Sequence, residues 1–208
     1  YTLRRKDKIS DADTAPDNAR GSTGKRLRLT FEELGPTFVK LGQLLSIRQD
    51  MLPPDVIEEL KKLQDSVHPF PFADVKALIE VEFNDSLENI YQEFDEEPLA
   101  AASIAQVHHA RLISGKEVAV KVQRPGIEKV IGLDLDILSE MAHFFDHHTK
   151  YGELYDFSGM VDDFQKTIQN EMDFMKEGEN ADTFLRNFRE DEGVTVPKIK
   201  WIYTTKRV

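Results

Sequence analysis

The feature that most constrains this chain is a change of hydrophobic period near residue 92. Before it, apolar residues recur every three to four positions, the spacing of amphipathic helices. After it come three short runs that read at period two: Gln92–Pro98, Ser103–Leu112 and Lys116–Gln123. Ser114-Gly115 supplies a hairpin turn between the last two. A helical period returns from about Ile127 to Phe188. Val194–Tyr203 then reads as a fourth strand around Pro197, and Lys206–Val208 as the start of a fifth. The pattern predicts an α+β fold with an antiparallel sheet and helices on either side of it in the sequence.

Residues 1–29 are polar and aperiodic, with Pro16, Gly21 and Gly24, and read as a flexible basic arm. Thr30 and Glu33 have capping-box spacing, which predicts a helix from there to about Gln49, kinked by Pro36. Pro53-Pro54 ends that run and opens another helix through Leu63; residues 72–83 and 86–91 read as further short helices. Inside the first helix, Lys40 and Gln43 share a face, opposite the stripe of Leu34, Phe38, Leu41 and Leu45. A helix apolar nearly all round is expected to be buried, so its two long polar side chains need partners. Gly42, between them, lowers helix stability by roughly 1 kcal/mol against alanine, which points to a close approach by another element. An ordinary bundle helix with a snorkelling lysine fits the same pattern.

Composition removes several function classes. The net charge is −11, which argues against nucleic acid as a partner. The charge is uneven: residues 1–28 hold eight Lys or Arg against four Asp, leaving −15 on the remainder. Such an arm suits either an anionic membrane surface or plain solvent. There is no cysteine, so disulfides and thiol catalysis are excluded. No signal peptide is visible, and no apolar run approaches the roughly 18–20 residues needed to span a bilayer.

The chemistry concentrates in two places. In Pro98-Leu99-Ala100-Ala101-Ala102-Ser103-Ile104-Ala105-Gln106-Val107, alanines at 100, 102 and 105 fall where a kinase phosphate loop has its three glycines, with Val107 at the valine. One strand later, Val118-Ala119-Val120-Lys121 supplies the lysine strand. A loop covering phosphates needs very small side chains so that its amides can approach. Alanine is nearly small enough, but its Cβ disfavours positive φ, so this loop is expected to be stiffer than a glycine loop. Lys121 is a compact cation suited to phosphate oxygens.

The second place is Glu171-Met172-Asp173 and Glu177. Glu177 shares helical spacing with Ala181, Phe184 and Phe188, and Glu171 with Phe164, Ile168 and Met175. Carboxylates on an apolar face need a cation, a metal or a donor. Lys121 is the expected partner of Glu177, which leaves Glu171 and Asp173 for a metal ion or for polar groups of the helical extension. A solvated acidic helix has the same spacing. His143 and His147 are four apart but have no clear third ligand, so no metal site is assigned. Phe144, Phe145, Phe184, Phe188 and Trp201 read as core.

Four segments in order resemble the UbiB (AarF) family of atypical protein-kinase-like proteins, over about Leu29–Val208. They are the K-x-G-Q helix (Lys40, Gly42, Gln43), the alanine-rich loop (Ala100, Ala101, Ala102, Ser103), Val118–Gly126, and the E-x-D motif (Glu171, Asp173) followed by Glu177. The resemblance implies a kinase-like N-lobe over residues 93–208, with an αC-like helix and a helical insert at about 127–165. It implies a helical extension over 30–92 that packs on the active site and blocks protein substrates. It also implies ATP or ADP with Mg2+, bound by Lys121, Glu177, Ala100–Ser103, Ala105, Val107 and Ala119. In function, it implies an ATPase or small-molecule kinase supporting isoprenoid quinone biosynthesis, peripheral to a membrane on its cytoplasmic face. The implied partners are isoprenoid lipid and other quinone-biosynthesis proteins. Neither a H-x-D-x-x-x-x-N catalytic loop nor D-F-G occurs in the 208 residues, so the chain is expected to lack a C-lobe and to be inactive alone. The alternative is a non-catalytic module that binds isoprenoid lipid or partner proteins.

Overall fold

A computed structural model of the chain describes residues 22–63, 68–152, 154–191 and 193–208. Its elements are α1 (Thr23–Leu34), α2 (Pro36–Leu45), α3 (Pro54–Leu60), α4 (Phe72–Phe83), α5 (Leu87–Ile90), β1 (Tyr91–Phe94), β2 (Ala100–Ala101), β3 (Ala105–Leu112), β4 (Glu117–Gln123), α6 (Ile127–His148), α7 (Phe157–Glu171) and α8 (Phe174–Asn187).

The sheet is antiparallel, and β3 is its centre. One edge of β3 pairs with β1 at Ala110–Leu112 and with β2 at Gln106–Val107; the other edge pairs with β4 along its length. Period two then separates the faces. Gln106, His108 and Ala110 turn to one side with Val122, Val120 and Val118, their partners across the ladder, and Leu112, paired with Tyr91, follows them. That side packs on α4, where Val75 and Ile79 are fully buried. Burying each such side chain contributes about 1.5–3 kcal/mol. The other face carries Ala105, Val107, Ala119 and Lys121. Register places Lys121 directly opposite Val107.

A buried polar chain runs along the core face. Gln106 Oε1 accepts from the Phe70 amide at 3.0 Å, its amide nitrogen lies 2.9 Å from His108 Nε2, and His108 Nδ1 lies 2.7 Å from the Asp95 carbonyl. A carbonyl only accepts, so His108 carries its proton on Nδ1 and accepts from Gln106 at Nε2.

Two further cores flank the sheet. Ile127, Ile131 and Leu135 of α6, Phe164 and Ile168 of α7, and Phe174 of α8 form one, with Phe38, Leu41 and Leu44 of α2 against it. Phe31, Val39, Val56, Leu60 and Leu63 hold α1, α2 and α3 together. Thr37, fully buried on α2, donates to Asp134 of α6 at 2.5 Å and ties these two cores.

Several expectations are corrected. The basic arm does not reach residue 29: α1 begins at Thr23, capped by the Ser22 hydroxyl, not by Thr30. The Ser22 side chain reaches the Lys25 amide, and Gly24 lets α1 press on Val56 of α3. Residues 1–21 lie outside the described residues. The expected kinked helix is two helices, separated at Gly35 with φ 103°. A residue before proline avoids helical backbone, and this φ is open only to glycine. Val194–Tyr203 contains a 3-10 turn at Trp201–Tyr203 instead of a strand, because Pro197 has no amide to donate to a ladder. Lys206–Val208 is not a strand either, although the Arg207 carbonyl accepts from the Gln123 amide at 2.9 Å along the edge of β4.

The aromatic residues read as core are at the surface. Phe184 and Phe188 stack on each other at 4.4 Å while 48% and 39% exposed. Phe144 and Phe145 extend an exposed apolar stripe on α6 that includes Val130, Leu133, Ile137 and Met141. Trp201 is partly exposed, with its indole N–H on Asp182 at 2.8 Å. Among the described residues, no helix is long and apolar enough to cross a membrane.

Candidate functional site

The open face of the sheet, the turn between β2 and β3, and the start of α8 converge on one cavity. Lys121 extends from β4 and meets Glu177, in the first turns of α8, at 2.6 Å. Its ammonium also sits 4.7 Å from the centre of the Phe174 ring, a cation–π contact that fixes the lysine stem. The start of α8 is itself anchored: the Phe174 amide donates to the Lys206 carbonyl at 3.0 Å, and Gln123 donates to the Met172 carbonyl at 2.8 Å.

Asp173 is the N-cap of α8. Its carboxylate accepts from the Met175 amide at 3.1 Å. Glu171 ends α7 and pairs with Lys40 of α2 at 3.0 Å. The two carboxylates of the E-x-D motif therefore take separate roles, one capping a helix and one answering the helical extension. Among the described residues, no group of three acidic or histidine side chains is placed to hold a metal. The rings of His143 and His147 lie 4.1 Å apart at a tilt of 43°, and His147 Nδ1 lies 2.8 Å from the His143 carbonyl. Replacing Asp173 with Ala is expected to destabilise the fold by about 1 kcal/mol, and Asp173→Asn, which still caps, by much less. Urea unfolding measures both; equal losses would show that the charge, not the cap, is what counts.

The other half of the K-x-G-Q motif faces α3. Gln43 donates to the Leu63 carbonyl at 3.3 Å. A Cβ added to Gly42 would lie 2.3 Å from Leu63 Cδ1 and 2.6 Å from Phe31 Cδ2. The close approach expected from the sequence is therefore present, and its partners are α1 and the residues after α3.

Lys121 and Glu177 stand between two cavities. One, of about 510 Å³, has Ala102, Ser103, Ile104 and Ala105 on one side and Lys40, Asn170 and Glu171 on another. The second, of about 620 Å³, lies under the sheet, with Val118, Ala119, Phe174, Ala181 and Ile199 supplying mostly apolar walls. Ala100 and Ala101 form β2, paired with Val107 and Gln106. Among the described residues, Asn84 is the one non-glycine with positive φ, so the alanine loop is built without left-handed backbone.

Sequence reasoning paired Lys121 with Glu177 for a reason that does not hold. The Glu177 side chain is 54% exposed, and the stripe of Phe184 and Phe188 it shares is not buried. It missed the Lys40–Glu171 partnership as a specific pair, the Phe174 ring under Lys121, and Arg124. Arg124 follows β4, and its signal was the Gln123-Arg124-Pro125-Gly126 string.

A small antiparallel sheet, an alanine turn over a cavity, and a strand lysine held by a helix glutamate define the small lobe of a protein-kinase-like protein. Residues 62–208 match the ABC1 atypical kinase-like domain. The chain belongs to that family. It is 45% identical over 187 residues to a probable protein kinase UbiB of Marinobacter nauticus, covering 90% of this chain and 34% of the relative. It is 41% identical over 189 residues to the chloroplastic protein Activity of BC1 Complex Kinase 7 of Arabidopsis thaliana, covering 91% of this chain and 27% of that one. The chain thus spans about a third of the length of the curated relatives it matches. Among solved structures, the Rv3197–erythromycin complex from Mycobacterium tuberculosis superposes with a TM-score of 0.56 at 27% identity, over 84% of this chain and 44% of that one.

Proposed function

We propose that this chain is the nucleotide-binding small lobe of a UbiB-type atypical kinase or ATPase, and that the whole protein supports isoprenoid quinone biosynthesis at a membrane surface. The observation that carries the reading is the 2.6 Å contact of Lys121 with Glu177 between a cavity under the alanine turn, bordered by Lys40, Asn170 and Glu171, and a second, mostly apolar one under the sheet. An adenine nucleotide has the same division, a flat apolar base and an anionic tail. Both cavities fall within the roughly 300–1,000 Å³ range of small-molecule sites.

The residues suit ATP or ADP, with Mg2+ carried on the phosphates, since among the described residues no side-chain cluster is placed to hold the metal itself. Lys121 would meet phosphate oxygens, with Glu177 holding it in place. Ser103 and Ile104 would offer the amides, since the Ala102 amide is already given to the Ala105 carbonyl at 2.7 Å. Ala119, on the same face as Lys121, would face the base. Bound Mg2+ supplies charge neutralisation of the phosphates. Lys40, paired with Glu171, would line the cavity from the helical extension and crowd a protein substrate there.

A second reading, a non-catalytic module for isoprenoid lipid or a partner protein, is favoured by the exposed apolar stripe of α6. Nucleotide binding separates the two. Titration of the full-length protein with a fluorescent ADP analogue and Mg2+ is expected to saturate, and unlabelled ADP to displace it. A protein that binds no adenine nucleotide would leave the second reading standing.

A further inference from the structure

We infer that Arg124 is the positioning residue of the alanine-rich loop, holding its peptide planes from behind so that successive amides turn toward the cavity. The inference rests on the nucleotide reading above and deepens it.

Arg124 donates to three consecutive carbonyls. Its backbone amide reaches the Ile104 carbonyl at 2.8 Å. Its Nε reaches the Ser103 carbonyl at 3.2 Å, and a terminal nitrogen reaches the Ala102 carbonyl at a long 3.5 Å. In a planar trans peptide the C=O and N–H point in opposite directions. Drawing the carbonyls of Ala102 and Ser103 to one side therefore turns the amides of Ser103 and Ile104 to the other. The cavity of about 510 Å³ beside the turn is lined by these same two residues.

Arg124 is itself fixed. The same terminal nitrogen donates to the His68 carbonyl at 3.1 Å, and the guanidinium lies 5.1 Å from the centre of the Phe70 ring. The backbone of Phe70 is clamped at both its amide and its carbonyl by Gln106 of β3. Burial lowers the guanidinium pKa from the usual arginine value, yet an arginine keeps its charge at neutral pH.

The loop's composition explains the need. A glycine loop converges its amides by visiting positive φ, which alanine disfavours. The loop here has no left-handed residue, so an outside group must orient its peptides. A planar fork reaching two carbonyls from one stem does this, whereas a lysine makes a single point contact.

The test uses the full-length protein with Arg124→Lys and Arg124→Gln, so that one variant keeps the charge and the other removes it. Hydrogen exchange of the amides across residues 100–105, without ligand, is expected to quicken about tenfold in both variants. Affinity for ADP is expected to fall about tenfold, while affinity for adenosine, which has no phosphates, stays within about twofold. General loosening of the fold would lower both affinities together. Unchanged exchange overturns the inference, as does quicker exchange with an unchanged ratio of ADP to adenosine affinity. A wild-type protein that binds neither ligand removes the nucleotide reading, and an unchanged exchange rate would then still remove Arg124 as the loop's brace.

Discussion

Lys121→Met is expected to lower affinity for Mg-ADP about a hundredfold while shifting the unliganded melting temperature by no more than about 2 °C. The two expectations follow from different magnitudes. The Lys121–Glu177 pair is 37% and 54% exposed, and exposed ion pairs contribute about 0–1 kcal/mol to folding. A charge-assisted bond to phosphate is worth about 1.5–3 kcal/mol. Removing the lysine also leaves Glu177 facing an anion with no cation between them. The double variant Lys121→Met/Glu177→Gln should therefore bind ADP more tightly than Lys121→Met alone, a coupling that a double-mutant cycle isolates. Isothermal titration measures all four proteins. Equal affinities for wild type and Lys121→Met would place the phosphates elsewhere.

Much of this arrangement was legible in the sequence, for local reasons. Val118, Val120 and Val122 alternate with Ala119, Lys121 and Gln123, and period two alone turns Lys121 away from the core. Lys40 and Gln43 share a face at helical spacing, and each does find a partner. The failures have physical causes as well. The stripe through Phe184 and Phe188 has the right period, but periodicity cannot say whether anything lies against that face. Gly35 and Pro36 read as a kink because sequence spacing does not reveal a glycine at φ 103°. Asp173 looked like half of a charged motif, yet it caps a helix that begins one residue later. Arg124 left little trace because its partners are backbone carbonyls, which every residue has.

Gly42 and Gly132 should respond to alanine in opposite directions. Both lie inside helices, where alanine is intrinsically favoured over glycine by about 1 kcal/mol. At Gly132, on the exposed side of α6, an added Cβ meets nothing within 4 Å, so that preference is expected to appear as a gain of about 0.5–1 kcal/mol. At Gly42 the Cβ would lie 2.3 Å from Leu63 Cδ1 and 2.6 Å from Phe31 Cδ2. The Leu63 methyl sits at the end of a flexible chain, but the Phe31 ring is backed by Phe38 at 6.3 Å and both Leu63 and Phe31 are buried. Overpacking of this kind typically destabilises by about 1–3 kcal/mol, more than the helix preference returns. Gly42→Ala is thus expected to lower stability and to push α2 away from α1 and Leu63. That shift would stretch the Gln43 bond to the Leu63 carbonyl and draw Lys40 from Glu171. Urea denaturation of both variants measures the sign directly. A stabilised Gly42→Ala would mean that the K-x-G-Q helix does not sit this close to its neighbours, and the placement of Lys40 over the cavity would lose its support.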